Sequence, residues 1–225
     1  MPVISDAVTV NSFLAEPAHV EQAAAAVVIL HEWWGLTDHI KDVARRFAAA
    51  GYVACVPDLY ARQGSAITTD ANEASRLMSG LSSQAILRDL NATTHALKQR
   101  STVDPYRIGI IGFCMGGTLA LTQACHNSDL KAAVIFYGKI PPIESFRYLL
   151  CPVLYHWGEQ DGWISRKEVD LLRQGLTQAQ RPGEIVTYPG CQHAFFNDAR
   201  PEVYNKEAAD RAWARTLQFL REHLR

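Results

Sequence analysis

Nothing in this 225-residue sequence ties it to a membrane, a nucleic acid or an oxidising compartment. No apolar run approaches the ~20 residues that a bilayer span needs. The first residues, Met1-Pro2-Val3-Ile4-Ser5-Asp6, have neither the basic stretch nor the apolar core of a secretory signal. An excess of one charge is also missing. Lysine and arginine total 22 against 23 acidic residues, a net charge of -1, which argues against nucleic acid as the main partner. Cysteine is sparse: five residues, scattered and odd in number, with no CxxC pair. That excludes a disulfide framework and a structural zinc site, and it predicts reduced thiols in a cytoplasmic protein. No repeat, low-complexity tract or linker divides the chain. What remains is 48% hydrophobic and 20% charged residues, an ordinary globular composition. A chain of this length can bury about 70% of its unfolded surface, so a single domain over residues 1–225 is expected.

Strand-like apolar runs alternate with amphipathic stretches. Ala25 to Leu30 is almost wholly apolar, as a strand covered on both faces should be. From about Asp38 to Ala50, Ile40, Val43, Ala44, Phe47 and Ala48 recur at helical spacing, and Gly51 supplies a stop. Tyr52–Val56, Arg107–Gly112, Leu130–Tyr137, Pro152–Trp157 and Glu184–Tyr188 read as further strands. Helices are predicted over Ser83–Gln99, Met115–Cys125 and about Val203–Leu224, the last with Trp213, Leu217, Leu220 and Leu224 as its stripe. Ser165-Arg166-Lys167-Glu168 fits a capping box and marks another helix start. The segment from Ala61 to about Gly80 is polar and irregular, with room for a short helix. This alternation predicts an α/β fold: a mostly parallel twisted sheet, helices on both faces, no large cap domain. Reactive groups in such a fold sit beyond the carboxyl ends of the strands.

Gly112-Phe113-Cys114-Met115-Gly116 joins a predicted strand to a predicted helix. It is a G-x-nucleophile-x-G elbow, in which flanking glycines let strand and helix close tightly around a strained central residue. The elbow would hold Cys114 above the sheet at a helix N-terminus, where the dipole favours a thiolate. Without that context Cys114 would read as one more buried cysteine at a turn. A cysteine nucleophile needs a base, and the base needs an orienting group. His193 lies in the loop Pro189-Gly190-Cys191-Gln192-His193, and Asp161 in the loop Gly158-Glu159-Gln160-Asp161-Gly162. Nucleophile, acid, histidine is the chain order of an α/β-hydrolase. Glu159 and Asp198 are the alternative acids; Asp161 lies deepest in its loop. Donors for an oxyanion are expected from the backbone N–H of Met115 and from Trp33 in His31-Glu32-Trp33-Trp34-Gly35. Two adjacent tryptophans at a strand end point to at least one facing a pocket.

These residues resemble the dienelactone hydrolase family. The resemblance rests on His31-Glu32-Trp33-Trp34-Gly35-Leu36, Pro57-Asp58-Leu59-Tyr60, Gly112-Phe113-Cys114-Met115-Gly116-Gly117 and Gly190-Cys191-Gln192-His193-Ala194-Phe195-Phe196. It implies the α/β-hydrolase fold, a Cys114–His193–Asp161 triad, and hydrolysis of a small ester or lactone through an acyl-cysteine. It implies no cofactor and no metal. It gives Glu32 the role of taking the thiol proton when substrate arrives, where the residues alone leave a structural ion pair equally open. Trp34, Tyr60, Phe195 and Asn197 become expected substrate contacts, and the protein is expected to act as a monomer or weak homodimer.

The sequence also departs from the dienelactone pattern. The specialised enzymes clamp a substrate carboxylate with two arginines, one of them four residues after the histidine. Asn197 stands there, and a neutral amide cannot replace a guanidinium fork. Arg62 and Arg76 are the candidates for the other arginine. Two alternatives to a dienelactone hydrolase therefore stand: a promiscuous carboxylesterase or thioesterase with another acyl substrate, and a non-catalytic small-molecule binding or redox-sensing protein.

Overall fold

The computed structural model describes residues 1–19 and 22–225. Its centre is an eight-stranded sheet: β1 (Pro2–Ser5), β2 (Val8–Ala15), β3 (Ala24–Leu30), β4 (Val53–Pro57), β5 (Val103–Phe113), β6 (Leu130–Phe136), β7 (Val153–Gly158) and β8 (Gly183–Tyr188). The spatial order is β1-β2-β4-β3-β5-β6-β7-β8. From β4 through β8 every neighbouring pair is parallel, whereas β1–β2 and β2–β4 are antiparallel. The N-terminal hairpin is absent from the sequence expectations. β1 has only four residues, and only one side of the ribbon is well buried.

Among the described residues six α-helices cover the sheet: α1 (Asp38–Ala49), α2 (Ala71–Ser79), α3 (Ser83–Lys98), α4 (Met115–Ala124), α5 (Arg166–Gln178) and α6 (Lys206–His223). β3 shows how two cores arise from one strand. Successive side chains of a strand point to opposite faces. Ala26, Val28 and Leu30 pack with Leu90 of α3, Leu121 of α4 and Leu172 of α5. Ala25, Val27 and Ile29 pack with Phe47 of α1 and Phe219 of α6. Fully burying one such aliphatic side chain contributes about 1.5–3 kcal/mol, which explains the near-continuous apolar run.

Helix starts follow local chemistry. Ser165 accepts from the Glu168 N–H while Glu168 reaches back to Ser165, the expected capping box. The α6 stripe is turned from its expected position: Ala208, Ala212, Thr216, Phe219 and Leu220 are buried, while Trp213 and Leu217 are only half-buried. Small residues let α6 lie close to the sheet, and the large ones then flank the contact. Asn205 caps it, so the helix begins after Val203. Among the described residues no helix is long and apolar enough to cross a membrane.

Candidate active site

The carboxyl ends of β3, β5, β6 and β7 open toward one cavity of about 500 Å³. Cys114 stands between β5 and α4 with φ 55° and ψ -118°, a conformation costly for a residue with a side chain. The surrounding glycines make it possible. A Cβ on Gly112 would lie 2.0 Å from the Gly116 carbonyl oxygen, and one on Gly116 would lie 2.3 Å from the Leu30 carbonyl oxygen. Half-buried Cys114 thus faces the cavity from the N-terminus of α4. The other four cysteines are buried. Burial pushes the thiols of Cys55, Cys125 and Cys151 up to about 12, so none of the three forms a thiolate readily.

His193 and Ala194, from the loop after β8, line the same cavity. His193 Nδ1 donates to Asp161 Oδ2 at 2.8 Å. The Asp161 carboxylate is enclosed, and its Oδ1 accepts from the N–H groups of Trp163 at 2.7 Å and Ile164 at 2.9 Å. These bonds fix the carboxylate and, through it, the imidazole tautomer, leaving Nε2 as the free nitrogen. Nε2 is buried and makes no hydrogen bond of normal geometry within the protein. Burial pulls the imidazole pKa down, but hydrogen bonding to Asp161 and to nearby Cys114, with the negative charge of both, outweighs it and raises the value to about 10. Such a shift stabilises an imidazolium, the partner a thiolate requires. Neither alternative acid takes this place: Glu159 is exposed, and Asp198 pairs with His39 and Arg46 at the surface.

The loop after β3 is pinned from below. His31 Nδ1 donates to the Glu32 carbonyl at 2.6 Å, and its Nε2 accepts from Leu59 N–H at 3.1 Å. Within the loop, Gly35 N–H donates to Glu32 O and Thr37 N–H to Gly35 O, leaving the Trp33 N–H out of these turn bonds. Met115 opens α4, so its N–H has no intrahelical acceptor. Glu32 is buried at the cavity wall: Oε1 accepts from the Tyr137 hydroxyl at 3.2 Å and Oε2 from Asn197 Nδ2 at 2.7 Å.

Trp33 and Trp34 both line the cavity, edge to face with centroids 4.9 Å apart. Three other expected contacts stand behind its wall. Tyr60 is fully buried and donates to the Trp33 carbonyl at 2.9 Å. Phe195 stacks in the core against Tyr188 at 4.7 Å. Asn197 is buried and turned to Glu32, not to the cavity. Arg62 is bound to Asp89 and Arg76 to Glu73, so neither is a cavity cation. Lys139 and Arg200 are the cationic lysine and arginine on the wall, the latter lying over the Trp34 ring at 5.6 Å.

The sequence expectations omit Tyr137 and Trp163. Tyr137 follows β6 with φ 43°, bonds Glu32 and packs against His193 with ring centroids 4.9 Å apart. Its position just past a strand end, where such folds gather their chemistry, is the signal that would have found it. Trp163 is 58% exposed yet lines the cavity beside Trp33, only two residues after Asp161. Among the described residues no cluster of three histidine, cysteine or carboxylate side chains forms a metal-ligand set.

Nearly the whole chain is similar to known proteins. Residues 10–224 match the model of the dienelactone hydrolase family. A candidate carboxymethylenebutenolidase of Yersinia pestis is 35% identical, over 94% of this chain and 83% of that one. A candidate 2-oxo-3-(5-oxofuran-2-ylidene)propanoate lactonase of Bradyrhizobium sp is 32% identical, over 95% and 89%. The crystal structure of a candidate dienelactone hydrolase from Klebsiella pneumoniae superposes with a TM-score of 0.92 at 31% identity, covering 99% of this chain and 97% of that one.

Proposed function

The chain belongs to the dienelactone hydrolase family, hydrolases of ester bonds, and from that premise we propose that it cleaves small esters or lactones through an acyl-cysteine on Cys114. The observation that carries this reading is the strained Cys114 at the start of α4, in one cavity with a His193 that Asp161 holds by Nδ1.

Cys114 Sγ attacks the carbonyl carbon of the substrate. Glu32 accepts the thiol proton as substrate arrives, and His193 balances the thiolate as an imidazolium. Negative charge moves to the carbonyl oxygen, where the N–H groups of Met115 and Trp33 serve as donors. The tetrahedral centre collapses, the C–O bond breaks, and the alkoxide leaves with the proton of the imidazolium. In a lactone that alkoxide stays tethered to the acyl group. Water then attacks the thioester, neutral His193 takes its proton, and the C–S bond breaks to release the acid; the departing Cys114 thiolate takes back the proton that Glu32 held, which restores the starting state. Asp161 keeps the imidazole in the tautomer that both halves need. The aromatic wall of Trp33, Trp34 and Trp163 suits a substrate with an apolar body.

The test is turnover of p-nitrophenyl acetate and of a dienelactone by wild type and Cys114→Ala. The reading predicts loss of both activities with the far-ultraviolet circular dichroism unchanged. Full activity in Cys114→Ala would overturn it. A redox-sensing or binding protein would turn over neither substrate.

A further inference from the structure

Glu32 is a buried carboxylate without a counter-ion. Among the described residues no lysine, arginine or histidine forms an ion pair with it; its hydrogen bonds come from the Tyr137 hydroxyl and the Asn197 amide, both neutral. Buried charge is tolerated only where hydrogen bonds replace lost water, so these two donors determine where the carboxylate sits. Asn197 is itself fixed. Its Oδ1 accepts from Ala199 N–H at 3.1 Å and its backbone N–H donates to the Ala194 carbonyl at 2.9 Å, so Nδ2 must be the end that meets Glu32. The next residue, Asp198, is tied to α1 by His39 at 2.8 Å and by Arg46. The other titratable or charged groups around Glu32 are Cys114, His193, Lys139 and Arg200 on the cavity wall, Tyr137, and Asp161 behind His193; neither Lys139 nor Arg200 forms an ion pair with Glu32.

We propose that Asn197 is a positioning residue, which aims the Glu32 carboxylate at the Cys114 side of the cavity through an uncharged hydrogen bond. Glu32 is then held for an uncharged ester by neutral donors alone. This rests on the role given to Glu32 above. A guanidinium in the place of Asn197 would pair with both carboxylate oxygens and make Glu32 a weaker base. An amide donates one neutral hydrogen bond and places no positive charge beside the carboxylate.

The test is the pH dependence of kcat and KM for p-nitrophenyl acetate in wild type, Asn197→Ala and Asn197→Arg, each also made in a Glu32→Gln background. A hydrogen bond to a charged group contributes roughly 1.5–3 kcal/mol, or about 10- to 100-fold. Asn197→Ala should lower kcat by about tenfold or more and leave KM within about twofold. Asn197→Arg should lower kcat and move the acidic limb of its pH profile to lower pH, because a cation favours the ionised carboxylate. In the Glu32→Gln background neither substitution should change kcat by more than about twofold, since the group that Asn197 positions is gone. If Asn197→Ala proves unstable, Asn197→Leu keeps the volume and makes the same comparison. Equal losses in both backgrounds, or a wild-type kcat and pH profile in Asn197→Ala, would overturn the proposal while leaving Glu32 its role. A fully active Glu32→Gln would instead remove the role of Glu32, and the proposal with it.

Discussion

At the scale of single residues, the pair His193–Asp161 carries the sharpest expectations. Asp161 accepts three hydrogen bonds, two from backbone and one from His193. Asp161→Asn puts an amide where the Nδ1–H must donate, which favours the wrong tautomer. Turnover should fall by about 10⁴-fold, the size of the same change in a serine protease. Glu159 is exposed and Asp161 is the carboxylate bonded to His193, so Glu159→Gln should stay within about twofold of wild type in the same kinetic assay. The histidine also sets a pH dependence of stability. Its pKa is raised from the usual 6.5 to about 10 by hydrogen bonding and negative charge that overcome burial. A raised pKa stabilises the fold fully below the unfolded value, and that stabilisation is lost as pH climbs through the folded value. The gap in thermal midpoint between wild type and His193→Gln should therefore narrow from about pH 6 to about pH 10. A gap that widens with pH would contradict this. Legibility at this scale was uneven. Cys114 and His193 stand in motifs, whereas Asp161 was legible only from its depth in the loop after a predicted strand; its bond to His193 is what the structure adds. Asn197 also stands at a motif position, yet its amide faces inward, because whether a side chain reaches a substrate or a neighbouring acid depends on packing that no spacing encodes. Tyr137 belongs to no motif; its place just past β6 was the one signal, and its bond to Glu32 gives that place meaning.

At the scale of elements, the elbow between β5 and α4 is the most constrained feature. Leu30 O and His31 O lie 2.3 and 2.5 Å from where a Gly116 Cβ would stand. Both are backbone atoms, which cannot rotate away. Gly116→Ala should destabilise the protein by about 3 kcal/mol or more, at the upper end for overpacking. Gly162→Ala, with open space around its Cβ, is the matched control and should change the thermal midpoint little. Equal midpoints for the two variants would remove the packing argument. The central strands were legible because burial on both faces leaves an unbroken apolar run, as in Ala25–Leu30. The capping box at Ser165 was legible because its two hydrogen bonds depend on residues only three apart. The hairpin at Pro2–Ala15 was not, since its pairing to β4 is a long-range contact and Thr9, Asn11 and Ser12 interrupt the apolar run of β2. For α6 the periodicity gave the helix but not its rotation, because Ala208 and Ala212 determine how near it approaches the sheet.

At the scale of the whole molecule, one sheet runs from β1 to β8 with a core on each face, and residues far apart in sequence share it. We propose that residues 1–225 form a single domain. Thermal unfolding followed by tryptophan fluorescence and by circular dichroism should then give coincident curves. Two separated transitions would mean two units. The same sheet explains why distant segments meet: Cys114, Asp161 and His193 lie in the turn or loop after β5, β7 and β8, three strands of one parallel run. The central claim is that this convergence makes Cys114 a nucleophile. A slowly hydrolysed ester such as p-nitrophenyl trimethylacetate, mixed with the enzyme, quenched in acid within the first turnover and digested for mass spectrometry, tests it most directly. The account predicts one trimethylacetyl group on the peptide containing Cys114, absent in Cys114→Ala. An acyl group on Cys191, or an active enzyme that carries none on Cys114, would contradict it.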